Sequence, residues 1–160
     1  LSTKQNLTLE RIIEVSRVDF GSIPLDNALV LGDRTARHKV VVFSDPDCPH
    51  CGQLHQEMKL VVQKRKDIAC FIKLFPLPVH RDAKRKAESI MCDRSLKRLD
   101  EGFAQGPIPD PSCKTDIVEK TIVLAKKLNI TGTPAIIFDD GRLIPGGLQA
   151  DRIIELVDKK

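Results

Sequence analysis

The stretch "SDPDCPHCGQLHQEM", Ser44 to Met58, decides how the rest of the chain is read. It holds Cys48 and Cys51 in a Cys-Pro-His-Cys block, with two histidines and two aspartates close by. Immediately before it, "HKVVVFS" is rich in β-branched residues and reads as a buried strand. Immediately after it, Leu54, Met58, Val61 and Val62 recur at helical spacing. A helix is therefore expected to begin at or just after Cys48.

A Cys-x-x-Cys between a buried strand and an amphipathic helix has two main uses. One is half of a zinc site. Structural zinc takes four Cys or His ligands, commonly from paired knuckles. Cys92 and Cys113 do not form a second Cys-x-x-Cys, and His50 and His55 on one continuous helix diverge from Cys48. No metal is expected, and His55 reads as an ordinary helix residue. The other use is redox chemistry, which explains more of the pattern. Thiolate is the attacking species in disulfide exchange. A sulfur at a helix N-terminus faces unpaired N–H groups and the positive end of the dipole, and both favour its anion. Cys48 occupies that position. Pro49 suits the first helical turn, and His50 adds a charge or a donor. Cys51, one turn inward, is placed to resolve a mixed disulfide.

Working outward, "DIACFIKLFPLP" is a second strand, stopped by Pro76 and Pro78. Residues 82–100 read as a helix with Ala83, Ala87, Ile90 and Met91 in an apolar stripe. "GFAQGPIPDPSC" is a Gly/Pro-rich loop. Thr115–Leu128 is a further helix, "PAIIFDDGRLIPGG" is a hairpin with an Asp-Gly turn, and "QADRIIELVDKK" closes the chain as a helix. Upstream, "GSIPLDNALVLGD" contains a short first strand, and "NLTLERIIEV" a short helix capped by Asn6. The order predicts an α/β fold, a mixed sheet with helices on both faces.

Bulk properties set outer limits. The chain has 160 residues, with 41% hydrophobic and 30% charged, enough for one domain with a true core. No apolar run approaches the roughly 20 residues of a membrane span, so no membrane insertion is expected. Net charge is +4. Much of the excess lies in Arg81–Arg98, with seven basic and three acidic residues, and reads as a solvated helix face. With no Trp, no Tyr and six Phe for base stacking, nucleic acid is not an expected partner. Five cysteines make two pairs and one left over. If both pairs oxidise, the compartment is oxidising.

A second signal is "TGTPAIIF", which puts Thr133-Pro134 directly before a strand. Read alone, a trans proline that starts the strand is the commoner case. A cis bond would leave backbone groups open to an extended peptide.

Together, "VVVFSDPDCPHCGQLHQEM" and "GTPAIIFDDGRLIPG" resemble the catalytic thioredoxin-fold domain of the DsbC/DsbG periplasmic disulfide isomerases. The resemblance runs from about Ile23 to the C-terminus. It implies a thioredoxin-like fold over 23–160, with a helical insertion at about 80–114 and a linker helix and approach segment over 1–22. It implies Cys48 as nucleophile, Cys51 as resolving cysteine, Pro49 and His50 as tuning residues, and Thr133 with a cis Pro134 as the substrate-backbone contact. Cys92 and Cys113 then match the family's structural disulfide. Such a bond would pin the Gly/Pro-rich loop to the insert and stabilise by roughly 3 kcal/mol in the chain-entropy model. Cys70, inside an apolar strand, is left as a small core residue. The resemblance further implies a periplasmic protein without cofactor that acts on unfolded or misoxidised proteins, reduced by a membrane thiol reductase of DsbD type. The family dimerises through an N-terminal domain for which the residues ahead of the catalytic region are too few, so this chain is expected to be monomeric. The Pro-His dipeptide is that of the oxidising DsbA-type donors, which leaves a dithiol oxidase as the alternative to an isomerase. A metal-binding or chaperone module is the alternative of another class.

Overall fold

A computed structural model describes Arg11 and residues 17–159. The helix expected over residues 6–15 lies outside the described residues apart from Arg11. After a 3-10 turn at Phe20–Ser22, the elements are β1 (Leu29–Leu31), β2 (His38–Ser44), α1 (Pro49–Lys64), β3 (Ile68–Leu74), α2 (Ala83–Asp93), α3 (Leu96–Phe103), α4 (Ile117–Lys127), β4 (Ala135–Phe138), β5 (Leu143–Pro145) and α5 (Ala150–Asp158).

The sheet order is β1-β3-β2-β4-β5. β2 and β3 are parallel, from His38 opposite Ile68 to Ser44 opposite Leu74. The three outer pairings are antiparallel, so the sheet is mixed as expected. Parallel neighbours buried on both faces need near-continuous apolar runs. "VVVF" and "IACFI" supply them, and every residue of β3 is buried. Alternation along β2 divides the core. Val40 and Val42 face Leu54, Met58, Ile90 and Ile153 on one side. Val41 and Phe43 face Phe71, Ala125 and Ile130 on the other. Cys70 sits fully buried in this core, and desolvation pushes its thiol pKa up, as a structural cysteine requires.

The expected helix over 82–100 is two helices. Arg94 adopts a left-handed conformation, φ 47°, and ends α2. Ser95 then caps α3 by accepting a hydrogen bond from Arg98 N at 3.1 Å. A serine two residues past a helix end starts a new helix here because its hydroxyl satisfies an orphan N–H. Cys92 and Cys113 are joined, with Cα atoms 5.7 Å apart, and tie the loop after α3 back to α2. The basic run is less free than a solvated face. Arg85 pairs with Asp82, Lys86 with Asp47 and Lys84 with Glu119. The Asp-Gly turn of the hairpin is present. Gly141 has φ +93°, and a Cβ there would lie 2.2 Å from the Val18 carbonyl oxygen, so glycine is required on both counts.

Candidate active site

The end of β2 delivers the chain into a tight turn, Ser44 to Cys48, that opens α1. Asp45 organises this turn. Its carbonyl accepts from Cys48 N at 3.1 Å, and its carboxylate from Asp47 N at 2.8 Å. Cys48 is the N-cap residue, in extended conformation, with Pro49 as the first helical residue. Pro49 cannot donate, and the first N–H of a helix has no intrahelical acceptor, so nothing is lost. The Cys48 carbonyl accepts from Cys51 N and Gly52 N at 3.1 and 3.2 Å, which closes the first turn.

The two sulfurs differ in environment. Cys48 is 7% exposed and Cys51 2%, and both are free thiols. The Cys48 Sγ lies 3.8 Å from the Thr133 carbonyl oxygen, which puts the cysteine beside the residue before Pro134. Cys51 receives the Asp45 backbone N–H at 3.4 Å. Burial pushes the Cys51 thiol up to about 12, against a partial offset from Thr133 and the Asp45 N–H. The Thr133 hydroxyl is buried beside Cys51 without a hydrogen bond of standard geometry. A sulfur at the helix terminus and a more deeply buried sulfur one turn behind it, whose thiol burial keeps protonated, are suited to different steps of one exchange.

The Thr133–Pro134 peptide bond is cis. The proline alone pointed the other way, and the resemblance to the isomerase domain pointed here. Thr133 and Pro134 line a groove of about 750 Å³ with His50, Leu54, Gly147 and Leu148. His50 is exposed on this side. A second groove, of about 800 Å³, lies on the other side of Cys48, lined by Asp47, Gly52, His80, Lys86, Asp100 and Phe103. Thus Cys48, Cys51, Thr133 and Pro134 meet at one point, and His50 stands at the rim. Cys92 and Cys113 sit in the insert, in their own bond.

Two features of the second groove were not read from the sequence. His55 is not an ordinary helix residue. It is buried on α1, and its Nε2 pairs with the Asp100 carboxylate of α3 at 2.8 Å, where Lys59 also donates at 2.8 Å. Desolvation lowers the His55 pKa, and Asp100 opposes that in part. His80, from the turn before α2, bonds the buried Asp45 carboxylate through Nδ1 at 2.7 Å. Neither partner is near in sequence; a histidine two residues after Pro78 was the one visible hint. Lys73, in β3, is committed elsewhere. It donates to Pro24 O and Asn27 Oδ1 at 2.8 and 2.6 Å, and burial lowers its pKa to about 8. Among the described residues no group of three or more His, Cys, Asp or Glu side chains is arranged to hold a metal ion.

A mixed sheet whose central strand feeds a Cys-x-x-Cys helix, with the carbonyl before a cis-proline against the first cysteine, defines a dithiol protein of the thioredoxin-like class. A family model described as a thioredoxin-like domain matches residues 25–160, and the chain belongs to that family. Its relatives include the probable thiol:disulfide interchange protein DsbC of Bordetella avium, 28% identical over 96% of this chain and 54% of the relative. The thiol:disulfide interchange protein DsbC of Escherichia coli K12 is 26% identical over 77% of this chain and 52% of its own length. The chain spans about half the length of the curated relatives it matches. A disulfide interchange protein from Neisseria gonorrhoeae has a similar structure, with TM-score 0.72, 30% identity, and coverage of 86% of this chain and 97% of that one. DsbA2 of Pseudomonas aeruginosa, at 20% identity and TM-score 0.69, shares the fold.

Proposed function

We propose that the chain catalyses thiol–disulfide exchange, acting as a disulfide isomerase or reductase on misoxidised proteins in the periplasm. The observation that carries this is the pairing of Cys48, at a helix start and 3.8 Å from the Thr133 carbonyl, with the buried Cys51 behind it. The Cys48 thiolate attacks a substrate disulfide R–S–S–R′. A Cys48–S–S–R bond forms and R′–S⁻ leaves. A second substrate thiolate then attacks and releases a rearranged product. Where rearrangement stalls, Cys51 attacks the Cys48 sulfur, R–SH departs, and a Cys48–Cys51 disulfide remains. Two electrons from a thiol reductase, of the DsbD type in the resembling family, restore the dithiol. Thr133 and the cis Pro134 hold the substrate backbone, Pro49 and His50 tune the pair, and the Cys92–Cys113 bond keeps the insert in place. The named relatives support interchange, and the domain is proposed to work as a monomer over residues 23–160 behind a linker. The Pro49-His50 dipeptide favours a second reading, a DsbA-like oxidase with the same residues and opposite electron flow.

The test is refolding of a scrambled disulfide protein, with the reduction potential measured alongside. Cys48→Ser is expected to abolish rescue, and Cys51→Ser to accumulate mixed disulfides visible on non-reducing gels. Unchanged rescue by Cys48→Ser would sink the proposal. A strongly oxidising potential without rescue by the wild type would select the oxidase.

A further inference from the structure

We infer that His80, held by Asp45, is the proton donor and acceptor for the substrate-side thiol at Cys48. The inference rests on the exchange activity proposed above.

Asp45 has no solvent exposure, and its carboxylate is saturated by donors. Oδ1 accepts from Asp47 N at 2.8 Å. Oδ2 accepts from Leu77 N at 2.8 Å and from His80 Nδ1 at 2.7 Å. A carboxylate at Nδ1 fixes the proton there and frees the other nitrogen for chemistry. Among the described residues no hydrogen bond engages His80 Nε2, and the side chain is 28% exposed. With Nδ1 turned inward to a fully buried partner, the exposed edge of the ring is the Nε2 edge. His80 lines the groove that Cys48 also lines, and on its other flank the apolar groove of Phe75, Leu77 and Ile130. The backbone holds the ring in place, since His80 N donates to Leu77 O at 3.0 Å and His80 O accepts from Ala83 N at 3.1 Å.

The other charged groups of that groove are already partnered. Lys86 from α2 holds Asp47 at 2.6 Å, and Asp100 from α3 holds His55 and Lys59. His80 is thus the one imidazole lining the groove that Cys48 lines, and an imidazole nitrogen can both give and take a proton in catalysis. His50 stands in the opposite groove, with Pro134.

The chemistry needs such a group. When the Cys48 thiolate attacks R–S–S–R′, the Cys48–S–S–R bond forms, the old S–S bond breaks, and R′–S⁻ leaves with the electron pair. Alkyl thiolates are basic, with parent pKa values of about 8.5. An Nε2–H on the imidazolium passes its proton to R′–S⁻, giving R′–SH and neutral imidazole. When an incoming R″–SH attacks the mixed disulfide, Nε2 takes its proton. The two transfers cancel over a cycle, and no further oxidant or reductant is used.

Leaving-group dependence separates this role from a structural one. The reduced full chain and His80→Gln, in which the amide can still donate to Asp45, would be compared in single-turnover attack on two disulfides. Glutathione disulfide releases a basic alkyl thiolate. Dithiobis(nitrobenzoate) releases an aromatic thiolate that needs no proton. His80→Gln is expected to slow attack on glutathione disulfide by about 10- to 100-fold, near the lower range for general acid catalysis. Attack on the aromatic disulfide should stay within about 2-fold, since a low-pKa thiol leaves readily unaided. Asp45→Asn, which takes the negative charge away from Nδ1 but leaves His80 in the chain, should show the same selectivity at smaller size. It carries the decision if His80→Gln melts. Equal slowing on both disulfides, or slowing on neither, overturns the inference while leaving exchange by Cys48 intact. A wild type inert on both disulfides overturns the exchange activity itself.

Discussion

The two sides of Cys48 are built differently. On the cis-proline side, Thr133, Pro134, Gly147 and Leu148 present backbone and apolar surface, with His50 at the rim. On the insert side the groove is lined by His80, Asp47, Lys86 and Asp100, each already paired: His80 with the buried Asp45, Asp47 with Lys86, and Asp100 with His55 and Lys59 behind it. The first side suits an extended chain, because it offers backbone partners with few competing charges. The second handles charge, because its ionisable groups sit half-buried and hydrogen-bonded where small changes in protonation matter. The difference teaches that the helical segment between β3 and α4 supplies one wall of the second groove beside Cys48.

The comparison can be broken most severely at Asp45. Asp45→Ala removes the acceptor for two backbone N–H groups and one imidazole. We expect a loss of about 2–4 kcal/mol in urea denaturation, since buried donors are left unmade. A loss under about 1 kcal/mol would show that the insert side does not depend on this clamp.

A smaller effect is expected with pH. Burial lowers the His55 pKa in the folded chain from its ordinary value of 6.5. The unfolded chain then takes up the proton first. This contribution to stability is fully present above the unfolded value of about 6.5. It is lost as pH falls from there through the folded value. Denaturation midpoints should fall with acidification below about pH 6.5, and His55→Leu should flatten that part of the curve. An unaltered slope in His55→Leu would remove the histidine from the account.

The smallest effect tests packing. Gly52 lies in α1 on the insert side, and a Cβ there would stand 3.4 Å from the Phe103 ring, in ordinary contact. Gly52→Ala should stabilise by about 0.5–1 kcal/mol through helix propensity. That is roughly 1–4 °C in Tm for a chain of this size. A fall in Tm would mean that Phe103 closes on α1 with no room for a methyl group.

The two sides also differ in how readily they were read. The cis-proline side was legible because its parts lie in contiguous motifs: Cys48 to Cys51 at the strand-to-helix junction, and Thr133-Pro134 directly before β4. Even there the isomer came from the resemblance, since proline chemistry alone favours trans. The insert side was not legible. Asp45 and His80 are 35 residues apart, and His55 and Asp100 are 45 apart. No periodicity links such pairs, and a buried histidine on an apolar helix face looks like any other polar residue until its partner is known. The same holds for the break at Arg94, where a left-handed residue divides what the apolar stripe presents as one helix.

By itself the sequence determined the order of strands and helices outside the break at Arg94, and the cysteine pair at the start of α1. Apolar periodicity and helix-terminus chemistry act over a few residues, so both are written locally. The tertiary structure alone decided the environment of that pair. It set the burial that pushes Cys51 up to about 12, the carbonyl 3.8 Å from Cys48, and the Asp45–His80 contact across the turn. Desolvation and hydrogen bonding depend on what packs against a side chain, and those neighbours arrive from the far end of the chain.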